Sequence, residues 1–154
     1  MLIIYTRPLD TPELPVGVSV IVPAPKERLE RELGPLTDEE YKAKIWSTVP
    51  SDAINPMEIT LADVPTNRKL RNAWIHDTDN KKAVIHPDKA RAVIREKRNL
   101  KLDALDSKAF SESRKPKGDL TAINTEAQRL RDIPQHPLFN SNDPADLETV
   151  FDSV

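Results

Sequence analysis

Residues 87–106, PDKARAVIREKRNLKLDALD, decide the fold of this chain. Pro87 suits the first position of a helix, where its missing N–H would have no partner, and His86 is then the N-cap. At a period of 3.6 residues, six apolar residues fall within an arc of about 140°: Ala90, Val93, Ile94, Leu100, Ala104 and Leu105. Lys97 and Lys101 lie inside this arc, and their alkyl stems can follow it. The stretch therefore predicts an amphipathic helix with one buried stripe.

A second amphipathic segment covers residues 120–132. Its apolar residues again share one helical face: Leu120, Ala122, Ile123, Ala127, Leu130 and Ile133. Pro134 and Pro137 end the segment, because proline cannot donate the backbone hydrogen bond that a helix needs. The polar stretch 107–118, SKAFSESRKPKG, is predicted to be a loop. Two amphipathic helices joined by a polar loop predict an antiparallel helical hairpin.

Shorter elements flank this hairpin. Residues 72–75 and 83–85 favour two strands, and the turn-forming residues 77–80 between them predict a small β-hairpin. At the other end, Leu147, Val150 and Phe151 are expected to dock as one short final turn.

The first third of the chain alternates β-favouring runs with prolines. Residues 2–5 and 16–22 predict two strands, separated by a hairpin loop over 8–15. Residues 57–61 alternate with period two and predict a third strand.

Two short helices are predicted within the same third. Residues 26–33, KERLEREL, form a charged helix candidate that Gly34 and Pro35 end. Thr37 and Glu40 have the spacing of a capping box, which predicts a helix running to about residue 47.

Together these elements predict an α+β fold. It consists of a small N-terminal β-rich region with short helices, followed by a β-hairpin and a C-terminal antiparallel helical hairpin. The predicted regions are 1–66, rich in proline, and 67–154, with the β-hairpin and the two helices.

The composition limits the chemistry that is available. The 154 residues include 14 prolines, only three glycines and no cysteine, so disulfides and cysteine-bound zinc are excluded. Hydrophobic residues make up 38%, which is low for a compact domain. The apolar run at residues 1–4 is too short for a signal peptide or a membrane span. We expect a soluble protein without an export signal.

Charge is segregated along the chain. The net charge is −5 over residues 1–67, +7 over 68–101 and −4 over 102–154. A basic block of this kind can bind a phosphate backbone. It can also pair with the acidic flanks or form a solvated helix face, and no aromatic residues are interleaved with it along the helix to stack on bases.

A search for catalytic motifs gives no candidate. Three glycines cannot form a phosphate-binding loop, and no Gly-x-Ser-x-Gly elbow is present. The acids at 38–40 are explained by the dipole at a helix N-terminus. Asp77, Asp79 and Asn80 loosely resemble a cation loop, but the glycine and distal glutamate of a calcium site are missing. We expect no catalytic residues, no cofactor and no metal.

The two tryptophans have two interpretations. Trp46 and Trp74 each suit a core anchor in a chain with few large apolar residues. Either one also suits a binding hot spot, where tryptophan and arginine are enriched.

Two stretches of the second region resemble bacteriophage proteins. Residues 67–74, NRKLRNAW, followed by a hairpin and by residues 89–95, KARAVIR, are similar to a motif of small phage and prophage proteins with tail-related or unknown roles. Residues 94–99, IREKRN, and later 128–134, QRLRDIP, resemble the phage tail assembly chaperone family. In that family an arginine-rich helix precedes a second helix with a Leu-Arg-Asp-Ile-Pro-like end. The tryptophan-containing loop usual between those helices is absent here.

The resemblance covers roughly residues 67–151 and implies a non-enzymatic role in tail or tail-fibre assembly. The implied partners are other phage structural proteins, and the chain is expected in the host cytoplasm during assembly or in the virion. Binding to a membrane is not expected, and binding to nucleic acid is not expected to be its main role. The chain can also form a homo-oligomer within an assembly. A permanent virion component (a tail, neck or capsid accessory protein) is the first alternative. A nucleic-acid-binding regulator using residues 68–101 is the second. The partner-binding candidates are Arg71, Trp74, Arg91, Arg95, Arg98 and Arg131.

Overall fold

A computed structural model describes residues 1–7 and 17–154. It has an α+β fold, with its three-stranded sheet near the N-terminus and its longest helices near the C-terminus. The strands are β1 (Leu2–Thr6), β2 (Val18–Ile21), β3 (Ile54–Ile59), β4 (Trp74–Asp77) and β5 (Lys82–Ile85). The helices are α1 (Lys26–Leu33), α2 (Asp38–Trp46), α3 (Pro87–Ser113), α4 (Thr121–Asp132) and α5 (Pro144–Ser153).

The chain divides into two compact units. The first comprises residues 1–68 and 74–84, and the second comprises 69–73 and 85–154. Each unit has its own set of buried apolar side chains.

A three-stranded antiparallel sheet organises the first unit. The strand order is β2-β1-β3, and Ile3 of the central strand lies opposite Ile21 on one side and Glu58 on the other. Successive side chains of a strand point to opposite faces, and Ile3 and Ile4 are both fully buried, so both faces of β1 are covered. The pairing of the first two predicted strands is confirmed. The loop predicted at 8–15 lies outside the described residues, as does the predicted start of the second strand at Val16.

The two short helices of this unit begin where the sequence predicts them. Thr37 Oγ1 accepts a hydrogen bond from the backbone N–H of Glu40 at 3.2 Å, and the Glu40 carboxylate accepts one from the backbone N–H of Thr37 at 2.8 Å. This confirms the capping box that starts α2. Gly34, just after α1, has a φ of 90°, a backbone conformation that side chains disfavour.

Two strand boundaries differ from the prediction. β3 covers Ile54–Ile59 and not residues 57–61, because Thr60 and Asp63 cap a 3₁₀ turn over Leu61–Asp63. Asp63 Oδ2 accepts hydrogen bonds from the backbone N–H and the hydroxyl of Thr60 at 2.8 and 2.6 Å. The first predicted strand of the small hairpin starts at Trp74 and not at residue 72, since Arg71–Ala73 form a 3₁₀ turn.

The loop predicted over 107–118 is wrong in its first half, because α3 continues to Ser113. The stretch is polar, but neither proline nor glycine occurs before Pro116. The hydroxyl of Ser107 donates to the carbonyl of Asp103 at 3.0 Å, and that of Ser113 donates to the carbonyl of Phe110 at 2.9 Å. These bonds satisfy the serine hydroxyls within the helix, so polarity alone does not end it.

The turn after α3 depends on a glycine. The backbone N–H of Gly118 donates to the carbonyl of Lys115 at 3.2 Å. A Cβ at this position would collide with the carbonyl oxygen of Glu112. Glycine is therefore required here by the close approach of the backbone.

The buried stripe of α3 was predicted only in part. Ala90 and Ile94 are fully buried, as predicted, but Leu100 is 65% exposed and Ala104 is exposed as well. Leu105, which was also predicted, is half-buried, and the covered side passes through Leu102 and Ala109, which the prediction left out. Ending the predicted helix at residue 106 left out Ala109, which continues this side, and so favoured the wrong apolar line.

Two further helices complete the second unit. α4 packs against α3 through a face that includes the buried Ala127 and Leu130, as the predicted helical hairpin requires. The short final turn expected near the C-terminus is wrong. α5 is a ten-residue helix that also contacts α3. Asp143 starts it by accepting from the N–H of Ala145 at 2.9 Å, which is the N-cap signal that the prediction missed.

Candidate functional site on the C-terminal helices

Three predicted partner-binding arginines lie on one side of α3. Arg91, Arg95 and Arg98 are spaced by four and three residues, which places them above one another on a helix. The Arg91 guanidinium donates to the carbonyl of Ser141 at 2.9 Å and to Asp88 at 2.7 Å. Arg95 stacks over the buried ring of Phe139 at 5.1 Å from its centroid. Two of the three arginines therefore hold the segment before α5 against α3.

The other candidates have different surroundings. Arg98 is half-buried and donates to the side chain of Asn99 at 2.9 and 3.2 Å. Arg71 and Arg131 are exposed, in the 3₁₀ turn before β4 and on α4. Trp74 belongs to the first unit, where it is only 3% exposed. Its position fits the core-anchor interpretation, because a ring this deeply buried offers a partner almost no surface.

A cluster of cations meets the C-terminal end of α5. Lys97 Nζ donates to the carbonyl of Phe151 at 2.6 Å and lies 3.9 Å from the centroid of its ring. Arg129 of α4 donates to the carbonyl of Ser153 at 2.8 Å, and Lys69 pairs with Asp152 at 2.6 Å. The last carbonyls of a helix have no partner within it and carry partial negative charge. Lys97 and Arg129 supply two of these carbonyls with partners, whereas Lys69 pairs with the side-chain carboxylate of Asp152.

Burial is the main cause that lowers the pKa of Lys97, and the positive charge of Lys101 lowers it further. The sequence carried a signal for this role. Lys97 falls inside the apolar arc of α3, where a lysine is unusual unless its ammonium group has a defined partner. Nothing in the sequence indicated that the partner would be 54 positions away.

Three cations of the basic block are engaged within the second unit. Lys69, Arg91 and Lys97 each contact an acid or a backbone carbonyl of the same unit. The pair of Lys69 with Asp152 fits the interpretation that the block pairs with the acidic flank. The three contacts together leave less free charge for a phosphate backbone.

A groove of about 550 Å³ lies beside the ends of α4 and α5, and its walls include Arg129, Asp132, Ile133 and His136. Three of its polar side chains are already hydrogen-bonded within the chain. Arg129 forms two bonds of 2.7 Å with Glu126, and an oxygen of Asp132 accepts from Gln128 at 2.9 Å. His136 Nδ1 accepts from the N–H of Leu138 at 3.3 Å. We assign this groove no chemistry of its own.

The acidic residues singled out as a loose cation loop form a turn. Asp77 accepts hydrogen bonds from the backbone and side-chain nitrogens of Asn80 at 3.1 and 2.8 Å. These bonds lower the pKa of Asp77. Over residues 1–7 and 17–154, no group of three or more His, Cys, Asp or Glu is arranged to hold a metal ion.

The outer side of α3 carries two large exposed apolar side chains. Leu100 is 65% exposed and Phe110 is 61% exposed. The Arg114 guanidinium lies over the Phe110 ring at 4.1 Å from its centroid. We take this side of α3 as the candidate functional surface, since apolar side chains gain most from leaving water.

Within the part of the chain that the structure describes, no helix is long and apolar enough to cross a membrane. No protein-family model, curated protein or solved structure matches the chain.

Proposed function

We propose that this chain is a non-enzymatic bacteriophage protein that acts through protein–protein contacts in tail or tail-fibre assembly. The implied partner is a tail-fibre protein or another phage structural protein. Two observations support the proposal: the resemblance of residues 67–151 to phage tail assembly proteins, and the exposed apolar surface on α3 of the second unit.

The exposed pair Leu100 and Phe110 carries the proposal. Both side chains lie on the outer side of α3, about 15 Å apart along the helix at a rise of 1.5 Å per residue. Burying one large apolar side chain contributes about 1.5–3 kcal/mol. Two such residues on one rigid helix provide anchors for a partner, and the charged residues around them provide the polar rim that a protein interface needs.

The segments that carry the resemblance have complementary roles. Residues 94–99 lie on α3, and residues 128–134 begin on α4, which packs against α3. Within the second segment, Leu130 and Ile133 are buried, whereas Arg131 is exposed. The apolar part of the signature therefore holds the helices together, and the charged part lies on the surface.

Co-expression tests the proposal. The tagged chain is produced together with the tail and tail-fibre proteins encoded by the same phage genome, and the captured proteins are identified by mass spectrometry. We expect capture of one of these named proteins. The double variant Leu100→Asp/Phe110→Asp should lose it, because a partner would have to bury two carboxylates.

Leu61→Asp is the matched control. Leu61 is 71% exposed and belongs to the first unit, not to α3, so this variant adds a carboxylate at an exposed leucine outside the candidate surface and should leave capture unchanged. Failure to capture any tail or tail-fibre protein, or equal capture by the double variant, contradicts the proposal.

A permanent place in the virion is the alternative within the same proposal, because the same surface serves a transient or a lasting contact. Mass spectrometry of purified virions separates the two. A stoichiometric amount of the chain in the particle identifies a structural component, and its absence from particles identifies an assembly factor.

A further inference from the structure

We propose that the outer face of α3 binds the same face of a second copy of this chain, with the two helices antiparallel. This inference rests on the proposed function in one respect: it takes the surface around Leu100 and Phe110 as a protein-binding surface and names its first occupant.

Six residues form a continuous stripe along this face. They follow one another at alternating spacings of four and three residues: Glu96, Leu100, Asp103, Ser107, Phe110 and Arg114. All six are exposed. Alternating steps of four and three average 3.5 residues, which is the repeat that keeps a stripe facing a neighbouring helix. We call these six residues the α3 stripe.

The α3 stripe is complementary to itself in reverse order. If two copies lie antiparallel about a two-fold axis near residue 105, Leu100 of one meets Phe110 of the other, and Asp103 meets Ser107. At the ends, Glu96 meets Arg114. Each pair occurs twice in the dimer, so it contains two apolar contacts, two contacts between a serine and an aspartate, and two ion pairs. In each polar contact the Ser107 hydroxyl exchanges its bond to the carbonyl of its own helix for one to the carboxylate of the other copy.

A parallel arrangement of the same helices would be unfavourable. Each residue would then meet its own copy, and three of the six layers would place like charges together, at Glu96, Asp103 and Arg114. Self-association therefore requires the antiparallel direction.

The reversed order is the feature that identifies a second copy as an occupant of this surface. In a two-fold interface, residue i contacts residue j of the other copy and j contacts i. The three pairs of the α3 stripe meet this condition together. A heterologous partner imposes no such relation between the two halves of one helix.

The contact is a single pair of helices about 27 Å long over the α3 stripe. An interface of this size lies at the small end of the range for specific complexes. We therefore expect a reversible dimer, and analytical ultracentrifugation of the full chain from about 1 μM to about 1 mM should span its dissociation. A monomer throughout this range overturns the inference.

Charge exchange tests the ends of the α3 stripe. Glu96→Arg or Arg114→Glu alone places like charges opposite each other twice in the dimer, and each should weaken dimerisation by about tenfold. The double variant Glu96→Arg/Arg114→Glu restores opposite charges and should return the dissociation constant to within about threefold of the original. Lys108→Glu, an exposed change outside the α3 stripe, is the matched control. Equal weakening by the double variant contradicts the pairing.

Engineered thiols test the direction of the helices, because the chain has no cysteine of its own. Leu100→Cys mixed with Phe110→Cys should form a disulfide between copies on mild oxidation, and one Leu100–Phe110 contact remains in that mixed dimer. Either variant alone should not cross-link, since the two identical positions lie about 15 Å apart along the helices, beyond the reach of a disulfide. Cross-linking of Leu100→Cys with itself overturns the antiparallel arrangement.

The two proposals fail separately. A monomeric chain that captures a tail protein overturns the dimer and leaves the proposed function standing. A dimer with these variant effects that captures no tail or tail-fibre protein overturns the proposed function and leaves the dimer standing. Circular dichroism of each variant shows whether the helices are retained.

Discussion

Lys97 connects two helices through a single ammonium group. Its stem lies along α3, and its Nζ donates to the carbonyl of Phe151 at 2.6 Å. The carbonyls at the end of a helix favour a nearby cation. Because the side chain is only half-buried, we expect the interaction to be worth less than a fully buried charged hydrogen bond.

Lys97→Met keeps an apolar stem of similar size and removes the charge and the donor. We expect the free energy of unfolding to fall by about 1 kcal/mol, measured by urea denaturation at neutral pH. Lys108→Met, at an exposed position of the same helix, should change it by less than about 0.5 kcal/mol. Equal losses from the two variants would show that Lys97 does not cap α5.

His76 gives the first unit a dependence on pH. Its Nδ1 lies 3.5 Å from Thr6 Oγ1, and its Nε2 is buried without a hydrogen-bond partner among the described residues. Burial lowers the pKa of His76, and the smaller effect of Asp77 opposes it. As the pH falls below about 6.5, the ordinary value, the unfolded chain gains a proton before the folded chain does. The stability that neutral His76 contributes at higher pH is therefore lost as the pH falls below about 6.5.

His76→Phe removes this titration and retains an aromatic ring. We expect the free energy of unfolding of the original chain to decline from about pH 7 to about pH 5 more than that of the variant. Urea denaturation across this range gives the comparison, and the slopes decide it because the variant also changes packing. A steeper decline in His76→Phe would reverse the assigned sign.

Residue patterns with a local partner were the most predictable part of the chain. The capping box needs only two residues three positions apart, and the sequence shows both Thr37 and Glu40. The contacts of Arg91 and Lys97 join positions 50 and 54 residues apart. No local pattern specifies such pairs, so the sequence placed the arginines on α3 without showing what they touch.

At the scale of elements, a leucine of α3 and a leucine of α4 differ in burial. Leu130 and Leu100 both belonged to predicted buried stripes, but Leu130 is fully buried and Leu100 is exposed. Leu130→Ala should lower the free energy of unfolding by about 2–5 kcal/mol, because it leaves a cavity. Leu100→Ala should change it by less than about 0.5 kcal/mol.

Urea denaturation of both variants, at a concentration low enough to keep the chain monomeric, makes this comparison. A large loss from Leu100→Ala under these conditions would restore the predicted stripe and remove the surface on which both proposals depend.

The ends of elements were predicted well where proline, glycine or a cap is present, as at Gly34 and at Pro87. They were predicted poorly where the chain merely becomes polar. Residues 107–113 stay helical because no proline or glycine interrupts them, and the hydroxyls of Ser107 and Ser113 find partners within the helix. The prediction gave a single turn in place of helix α5 because it did not use the N-cap at Asp143, although the sequence contains this residue.

At the scale of the whole molecule, the α+β class follows from the order of strand-favouring and helix-favouring segments. The sheet order β2-β1-β3 does not, since β3 joins the edge of β1 from a distant part of the chain. The two units also alternate along the chain, because residues 69–73 belong to the second unit and residues 74–84 belong to the first. Such alternation is set by packing, which local patterns do not encode.

The candidate surface was predictable only in its location on α3. The sequence selected arginines because charge and hot-spot enrichment are visible in it. The exposed Leu100 was assigned to the core, because the sequence alone does not show which of two apolar lines another helix covers.

Gly118 has a practical consequence for protein engineering. The connection between α3 and α4 is exposed and short, which are the usual reasons to choose a site for an epitope or a fluorophore. Because the backbone of Glu112 fills the space where a side chain would begin, any residue introduced here to carry a label would displace the turn at the end of α3. The variant Lys117→Cys gives a better site, because residue 117 is exposed and the new thiol would be the only one in a chain without cysteine.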